Sequence, residues 1–242
     1  MKYAKDKKNN DKSLESILMT GTYELILQLP LFQGLSKDDL TRTIEKFSFH
    51  FEKYADGDQI IKRGELCSRI NFILTGNVRS YLKNEKSTLE ICETIAAPNM
   101  VAINHLYGNS QYYSADYYAV GEVGIMTIDK FDLFKMIQTN EIFYYNILNF
   151  LSAKAQTGIN TLLNLTVSSP NIRFAMWLLP LTNPFATNLS LIIKKTTLAS
   201  ILGISRPTLH VMLKEMEDEG LIEVSGSSIQ IVDRSAFADL IK

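Results

Sequence analysis

Between residues 47 and 128 the apolar positions come in short runs, several alternating with polar ones: FSFHFEKY, QIIK, INFIL, VRSYL, TLEICETI, YYAV and GIMTI. Alternation with period two is the pattern of a strand that buries one face. The runs are interrupted at Asp56-Gly57, Arg63-Gly64, Gly76-Asn77 and Gly108-Asn109, and Gly57, Gly64 and Gly76 are expected in turns at positive φ. Many short strands at such close spacing predict an all-β sandwich or barrel-like roll. Helical patterning precedes it at 14–28 and 36–47, where Ser36 is a plausible N-cap with Asp38 and Asp39 in the first turn. It returns at 129–137. Residues 1–13, short, polar and lysine-rich, read as disordered.

Residues 141–166 form one long helical pattern without a proline. Within it Tyr144, Leu148, Leu151, Ala155, Gly158, Leu162 and Leu165 are spaced 4, 3, 4, 3, 4, 3, a heptad seam over three repeats. A seam can pack on the β domain as well as on another chain. Ala155 and Gly158 at its centre favour the close approach of another backbone. Gly inside a helix costs about 1 kcal/mol against Ala, so a packing reason is expected. The seam is read as a dimer interface.

The segment 168–242 reads as a separate unit. Ser169-Pro170 opens a helix, Asn183-Pro184 marks a turn, and LSLII at 189–193 is a short strand. LIEV–SGSS–IQIV is a hairpin signal with Gly226 in the loop, and a last helix spans roughly 235–241. Between them, a helix from Thr197 to Leu202 carries the small Ala199 where a second helix must come close. Gly203 permits a left-handed turn, Ile204 plugs it, Ser205 can cap the second helix, and Pro207 falls in the first turn, where its missing N–H does no harm. Leu209, Leu213 and Met216 face inward, with Met212 at the edge. A joint constraint over about twenty residues predicts a helix-turn-helix, with the hairpin as a wing.

Charge then changes the picture. The net charge of −1 conceals a partition: Lys194, Lys195, Arg206 and Lys214 fall in 194–214 without an acid, and Glu215, Glu217, Asp218, Glu219 and Glu223 follow. Screening is nearly complete beyond roughly 8 Å, so a local basic stretch can bind phosphate on a neutral chain. The second helix would enter the major groove N-terminus first. Arg206 could reach a guanine edge or a phosphate, and Ser205 and Thr208 could bind phosphate through hydroxyl and backbone N–H. Pro207, His210 and Val211 share that face, and Lys194, Lys195 and Thr197 flank the groove. Hydrophobic residues at 46% and charged ones at 21% fit a soluble globular chain, and no apolar run is long enough to span a bilayer. The charged N-terminus is not followed by a signal-peptide core, so a cytoplasmic location without membrane contact is expected.

With these parts in this order, the chain resembles the Crp/Fnr family of bacterial regulators from about residue 20 onward. The turn glycines in DGDQIIKRGELCSRINFILTGNV, the long helix 141–166 and GISRPTLHVMLKEMEDEGLI carry the resemblance. It implies a cyclic-nucleotide-binding-like β-roll, a dimerising helix and a winged helix that binds a near-palindromic operator as a two-fold dimer, with RNA polymerase a further candidate partner. Members that bind cyclic AMP hold it with a Gly-Glu pair and an Arg-Ser pair, where this chain aligns Ala102-Ile103 and Tyr113-Ser114. That argues against cyclic AMP. Two cysteines, Cys67 and Cys92, argue against the four-cysteine iron–sulfur cluster of the oxygen sensors. A haem would need His50 or His105. Pro207 and Val211 replace a base-reading Glu and Arg, so target sequence does not carry over. Tyr107, Tyr112, Tyr113, Tyr117 and Tyr118 could line a small-molecule site or simply fill the roll.

The expected fold is α+β: an N-terminal double-stranded β-roll over 14–138, a dimerisation helix over 139–167 and a C-terminal winged helix-turn-helix over 168–242. The expected function is a dimeric DNA-binding transcription regulator, not an enzyme, sensing an unidentified small molecule around Ala102, Ile103, Tyr113 and Ser114. A constitutive binder with a vestigial sensor is one alternative. A cupin-like enzyme is another, although its clustered metal ligands are not evident in three scattered histidines.

Overall fold

A computed structural model describes residues 21–84, 86–164 and 169–241. The expected disorder at 1–13, the first turns of the 14–28 helix, Leu165 and the side chain of Leu162 lie outside the described residues. The described part of α1 covers 21–28, and α2 (Lys37–Lys46) begins at Ser36, whose Oγ accepts the Asp39 N–H. Six strands follow: β1 (Phe49–Tyr54), β2 (Gln59–Ile61), β3 (Arg69–Lys83), β4 (Glu90–Ala96), β5 (Asn99–Val101) and β6 (Ala115–Asp129). A 3₁₀ turn, Ile103–His105, lies between the last two.

The predicted roll is built around β3 and β6, which pair antiparallel from Arg69↔Asp129 to Leu82↔Ala115. Both long strands change register near Thr75. Gly76, at φ +82, makes that bend possible, because a Cβ there would lie 2.3 Å from the Glu122 carbonyl oxygen. Gly57 and Gly64 also have positive φ, as their turn positions demand. Helices α3 (Lys130–Thr139) and α4 (Glu141–Asn164) close the roll. Phe143 of α4 meets Phe32 edge-on, and Phe32 meets Phe72 in the same way, all three fully buried in the first core.

The C-terminal body comprises α5 (Pro170–Leu178), β7 (Ala186–Ile192), α6 (Lys195–Leu202), α7 (Arg206–Asp218), β8 (Ile222–Ser225), β9 (Ser228–Ile231) and α8 (Arg234–Asp239). Ser169 is the N-cap residue of α5, but its hydroxyl turns to the Asn171 side chain and leaves the helix N–H groups alone. This body has a second core, in which Phe174, Leu178, Leu191, Leu198, Leu213 and Phe237 are buried.

One junction departs from the expected separation of the units. Strand β7 is longer than LSLII alone and pairs on both edges, with β9 of its own body and with β4 of the roll. One sheet of nine strands therefore runs through both bodies in the order β1-β6-β3-β4-β7-β9-β8, with β2 and β5 attached to β6 and β3. Ile91 of β4 is 1% exposed and belongs to the second core, with Leu82 and Leu89 packed against it. Fully burying an isoleucine contributes about 1.5–3 kcal/mol, so this residue of the roll helps to hold the C-terminal body together.

Candidate nucleic-acid interface and cavity

The two-helix unit is built by short-range contacts. Leu198, Ala199 and Leu202 on α6 and Leu209, Leu213 and Met216 on α7 are buried against each other. Met212, expected at the edge, is also buried, at 3% exposure, within the second core. Gly203 caps α6 in the left-handed region at φ +63, and the Ile204 N–H reaches back to the Ala199 carbonyl. Arg173 of α5 donates through Nη1 to the Leu202 carbonyl at 2.7 Å, placing a cation where the α6 dipole is negative. Ser205 caps α7 by accepting the Thr208 N–H at 3.2 Å, and the two hydroxyls bond to each other at 2.8 Å.

That cap revises one expectation. The Thr208 N–H is held by the Ser205 cap and Pro207 has no N–H to offer, while the single bond between the two hydroxyls leaves one O–H free to donate. Arg206 is left as the α7 first-turn residue with an uncommitted backbone donor. Its side chain, with Pro207, Thr208, His210, Val211 and Lys214, lies on the exposed face of the helix. Lys194 and Lys195 are exposed at the start of α6, and Thr197 is half-buried. The acids Glu215, Glu217 and Asp218 occupy the far end of α7, more than two turns from Arg206. The wing, β8 and β9, turns through Gly226 at φ +62 with Ser225, Gly226 and Ser227 exposed.

A cavity of about 350 Å³ lies where the roll, α4 and the chain entering β7 meet. The roll contributes Ser80, Glu93, Ala102, Ile103, His105, Ser114 and Tyr117 to its wall; α4 contributes Phe150 and Lys154; the C-terminal body contributes Pro180 to Phe185. Glu93 is 7% exposed and accepts from Ser80 Oγ at 3.2 Å and from the Asn183 backbone N–H at 2.8 Å. Burial pushes its carboxyl above the ordinary range, while those two hydrogen bonds and the charges of Arg234 and Lys154 pull the other way. Desolvation lowers the Lys154 ammonium, with Glu93 opposing it. His105 Nε2 is 2.9 Å from Ser114 Oγ, and burial holds its imidazole below the usual value, so the ring is neutral near pH 7.

Residues 51–140 match the family described as cyclic nucleotide-binding domain, and residues 172–240 match the Crp-like helix-turn-helix domain. The cAMP-activated global transcriptional regulator CRP of Salmonella typhimurium is 24% identical over 206 residues, covering 81% of this chain and 97% of the relative. The regulator of the same name from Pasteurella multocida is 24% identical over 189 residues, covering 75% and 90%. The crystal structure of the Thermus thermophilus catabolite activator protein superposes with a TM-score of 0.50 at 19% identity, covering 88% of this chain and 98% of that one. The chain belongs to the Crp/Fnr family. It is a DNA-binding transcription regulator of the Crp/Fnr type, and the α+β architecture read from its sequence is the fold observed. No helix among the described residues is long and apolar enough to cross a membrane.

Within the Crp/Fnr frame the sensor residues redistribute. Ala102 takes the left-handed conformation at φ 58, rare for a residue with a Cβ. Ile103, next to it, puts an apolar, buried side chain on the cavity wall. Ser114 lines the cavity. Tyr113 does not; it is buried in the roll, donating to the Arg69 carbonyl at 3.3 Å and accepting from Asn71 Nδ2 at 3.4 Å. Of the five tyrosines only Tyr117 lines the cavity. Tyr107 and Tyr112 are exposed at 39% and 58%, and Tyr118 meets Tyr81 edge-on across the β3–β6 pair. Counting aromatics in sequence could not separate these, because neighbours on a strand point to opposite faces. Glu93 and Lys154 were missed for a related reason: each reads as an ordinary solvated charge until the fold places it on the cavity wall. Cys67 is buried, Cys92 half-buried, and burial raises both thiols. His50 is exposed on β1. Among the described residues no group of three His, Cys, Asp or Glu side chains is placed to hold a metal.

Proposed function

We propose that the protein acts as a homodimer that reads a near-palindromic operator with two copies of α7, under the control of a small molecule bound in the interbody cavity. The observation that carries this reading is the division of α4 into two faces. Phe143 and Ile147 are buried against the roll, whereas Tyr144, Leu148 and Leu151 are 57%, 44% and 38% exposed on the other side. Ala155 is exposed on the same seam, and a Cβ added at Gly158 meets nothing within 4 Å. The glycine has no packing reason inside its own chain, which leaves room for a second backbone.

The cavity, at the small end of the roughly 300–1,000 Å³ range of ligand sites, supports a compact effector. Its wall carries Lys154 and a neutral His105 but no arginine, which supports an effector other than cyclic AMP. An occupant would touch Pro180 to Phe185 of the C-terminal body directly, a route from sensing to DNA that fits a regulator recruiting or excluding RNA polymerase at a cytoplasmic promoter. Native mass spectrometry of protein purified from its own cells tests both parts. The expected mass is a dimer plus a small-molecule increment, and Gly158→Glu is expected to give monomers. A stable Gly158→Glu dimer would place the interface elsewhere, and a bare mass would favour a constitutive binder.

A further inference from the structure

Glu93 has a place that neither DNA reading nor the α4 seam explains. Its two carboxylate oxygens accept from two different bodies: Oε1 from Ser80 of the roll at 3.2 Å, Oε2 from the Asn183 backbone N–H at 2.8 Å. Asn183 stands just ahead of Ala186, the first residue of β7, so the carboxylate grips the C-terminal body where its strand begins to pair with the roll. The pairing is uneven at this point. Cys92 faces Ser190 and Thr94 faces Thr187, so Asn188 and Leu189 stand opposite the single Glu93. Asn188 takes up the extra residue in the left-handed region, at φ 48. A bulge of this kind fixes where two strands can meet, since a slip by one residue would turn every side chain of β7 to the wrong face.

We infer that Glu93 is the positioning residue that seats the winged helix on the β-roll, its hold on the Asn183 N–H setting the register in which β7 extends the roll's sheet. Thr187 Oγ1 also donates to the Thr94 carbonyl, at 3.4 Å, but the backbone bonds between β4 and β7 do not distinguish one register from the next. The Glu93 carboxylate does, because it is buried and reaches only one N–H at the head of the strand. Removing it leaves the Asn183 donor without its partner in a half-buried site. The seat has a consequence for DNA: α4 carries the dimer seam and is packed on the roll, so the place of β7 on β4 determines where α7 lies relative to the two-fold axis.

Hydrogen exchange on the full chain tests this, with Glu93→Leu compared with Glu93→Gln. The leucine variant is expected to exchange the amides of 183–192 about tenfold faster, with those of 117–128 and 209–216 within about twofold of the parent, as for a local opening. Its affinity for operator DNA is expected to fall in parallel. Glutamine keeps an acceptor for the Asn183 N–H and is expected to restore both readouts. Parent-like protection of 183–192 in the leucine variant would overturn the inference. So would loss spread equally over 117–128, which marks a packing defect, or failure of glutamine to restore the seat. If the leucine variant does not fold, Glu93→Thr, too short to reach Asn183, takes its place in the comparison.

Discussion

Helix α7 and strand β7 belong to the same C-terminal body, yet their partners lie at opposite distances along the chain. The buried contacts of α7 come from α5, α6 and β8, all within about fifty residues, and its outer face is exposed. Strand β7 pairs on both edges; over its last three residues it meets β9, and on the other side β4, about ninety residues earlier. The body therefore presents one side to DNA and commits another to the roll. A winged helix tethered only by α4 could turn freely. This one can turn only by parting a sheet, so its orientation is a property of the whole chain.

Changes at the junction can break this contrast, and the largest effect is expected at Ile91. Ile91→Asp would bury a carboxylate in the second core, a change that costs about 3–5 kcal/mol. In urea denaturation followed by hydrogen exchange, protection should fall in α7 although the substitution lies in the roll. Loss confined to the roll would show that the two cores are independent. A smaller effect is expected from Ser190→Cys, which places a second thiol directly opposite Cys92. Opposite residues on antiparallel strands have Cβ atoms roughly 4.5–5.5 Å apart, close enough for a disulfide after a small shift. Mild oxidation should join the β4 and β7 peptides and raise stability by about 2–4 kcal/mol. With Cys67 the variant has three thiols, and all three still titratable in denaturant after oxidation would mean that the strands do not pair.

The same contrast explains what was legible in the sequence. Ala199, Gly203, Ser205, Pro207 and Leu209 form a local code, because a turn, a cap and a helical face are each decided by residues a few positions apart. The turn glycines of the roll, the Ser36 cap and the heptad spacing of α4 are legible for that reason. Local reading failed where the deciding neighbour was distant. Met212 is internal because it joins the second core, to which α5, β7, β9 and α8 also contribute. Tyr113, just ahead of β6, fills the roll and Tyr117 on β6 lines the cavity, a division that composition alone does not carry. Nothing in LSLII or in TLEICETI indicates that the two segments pair with each other. Both are apolar strands of ordinary composition, and an edge carries no address in its sequence.

DNA reading by α7 is tested most directly by Arg206→Ala in a footprinting and affinity measurement on an operator selected from random sequence at fixed salt. Arg206 is exposed at the start of α7 and carries its uncommitted first-turn N–H, so loss of the side chain should weaken specific binding by roughly 1–3 kcal/mol and relax preference at one base pair in each half-site. Unchanged affinity and an unchanged base preference would contradict the placement of α7 in the major groove.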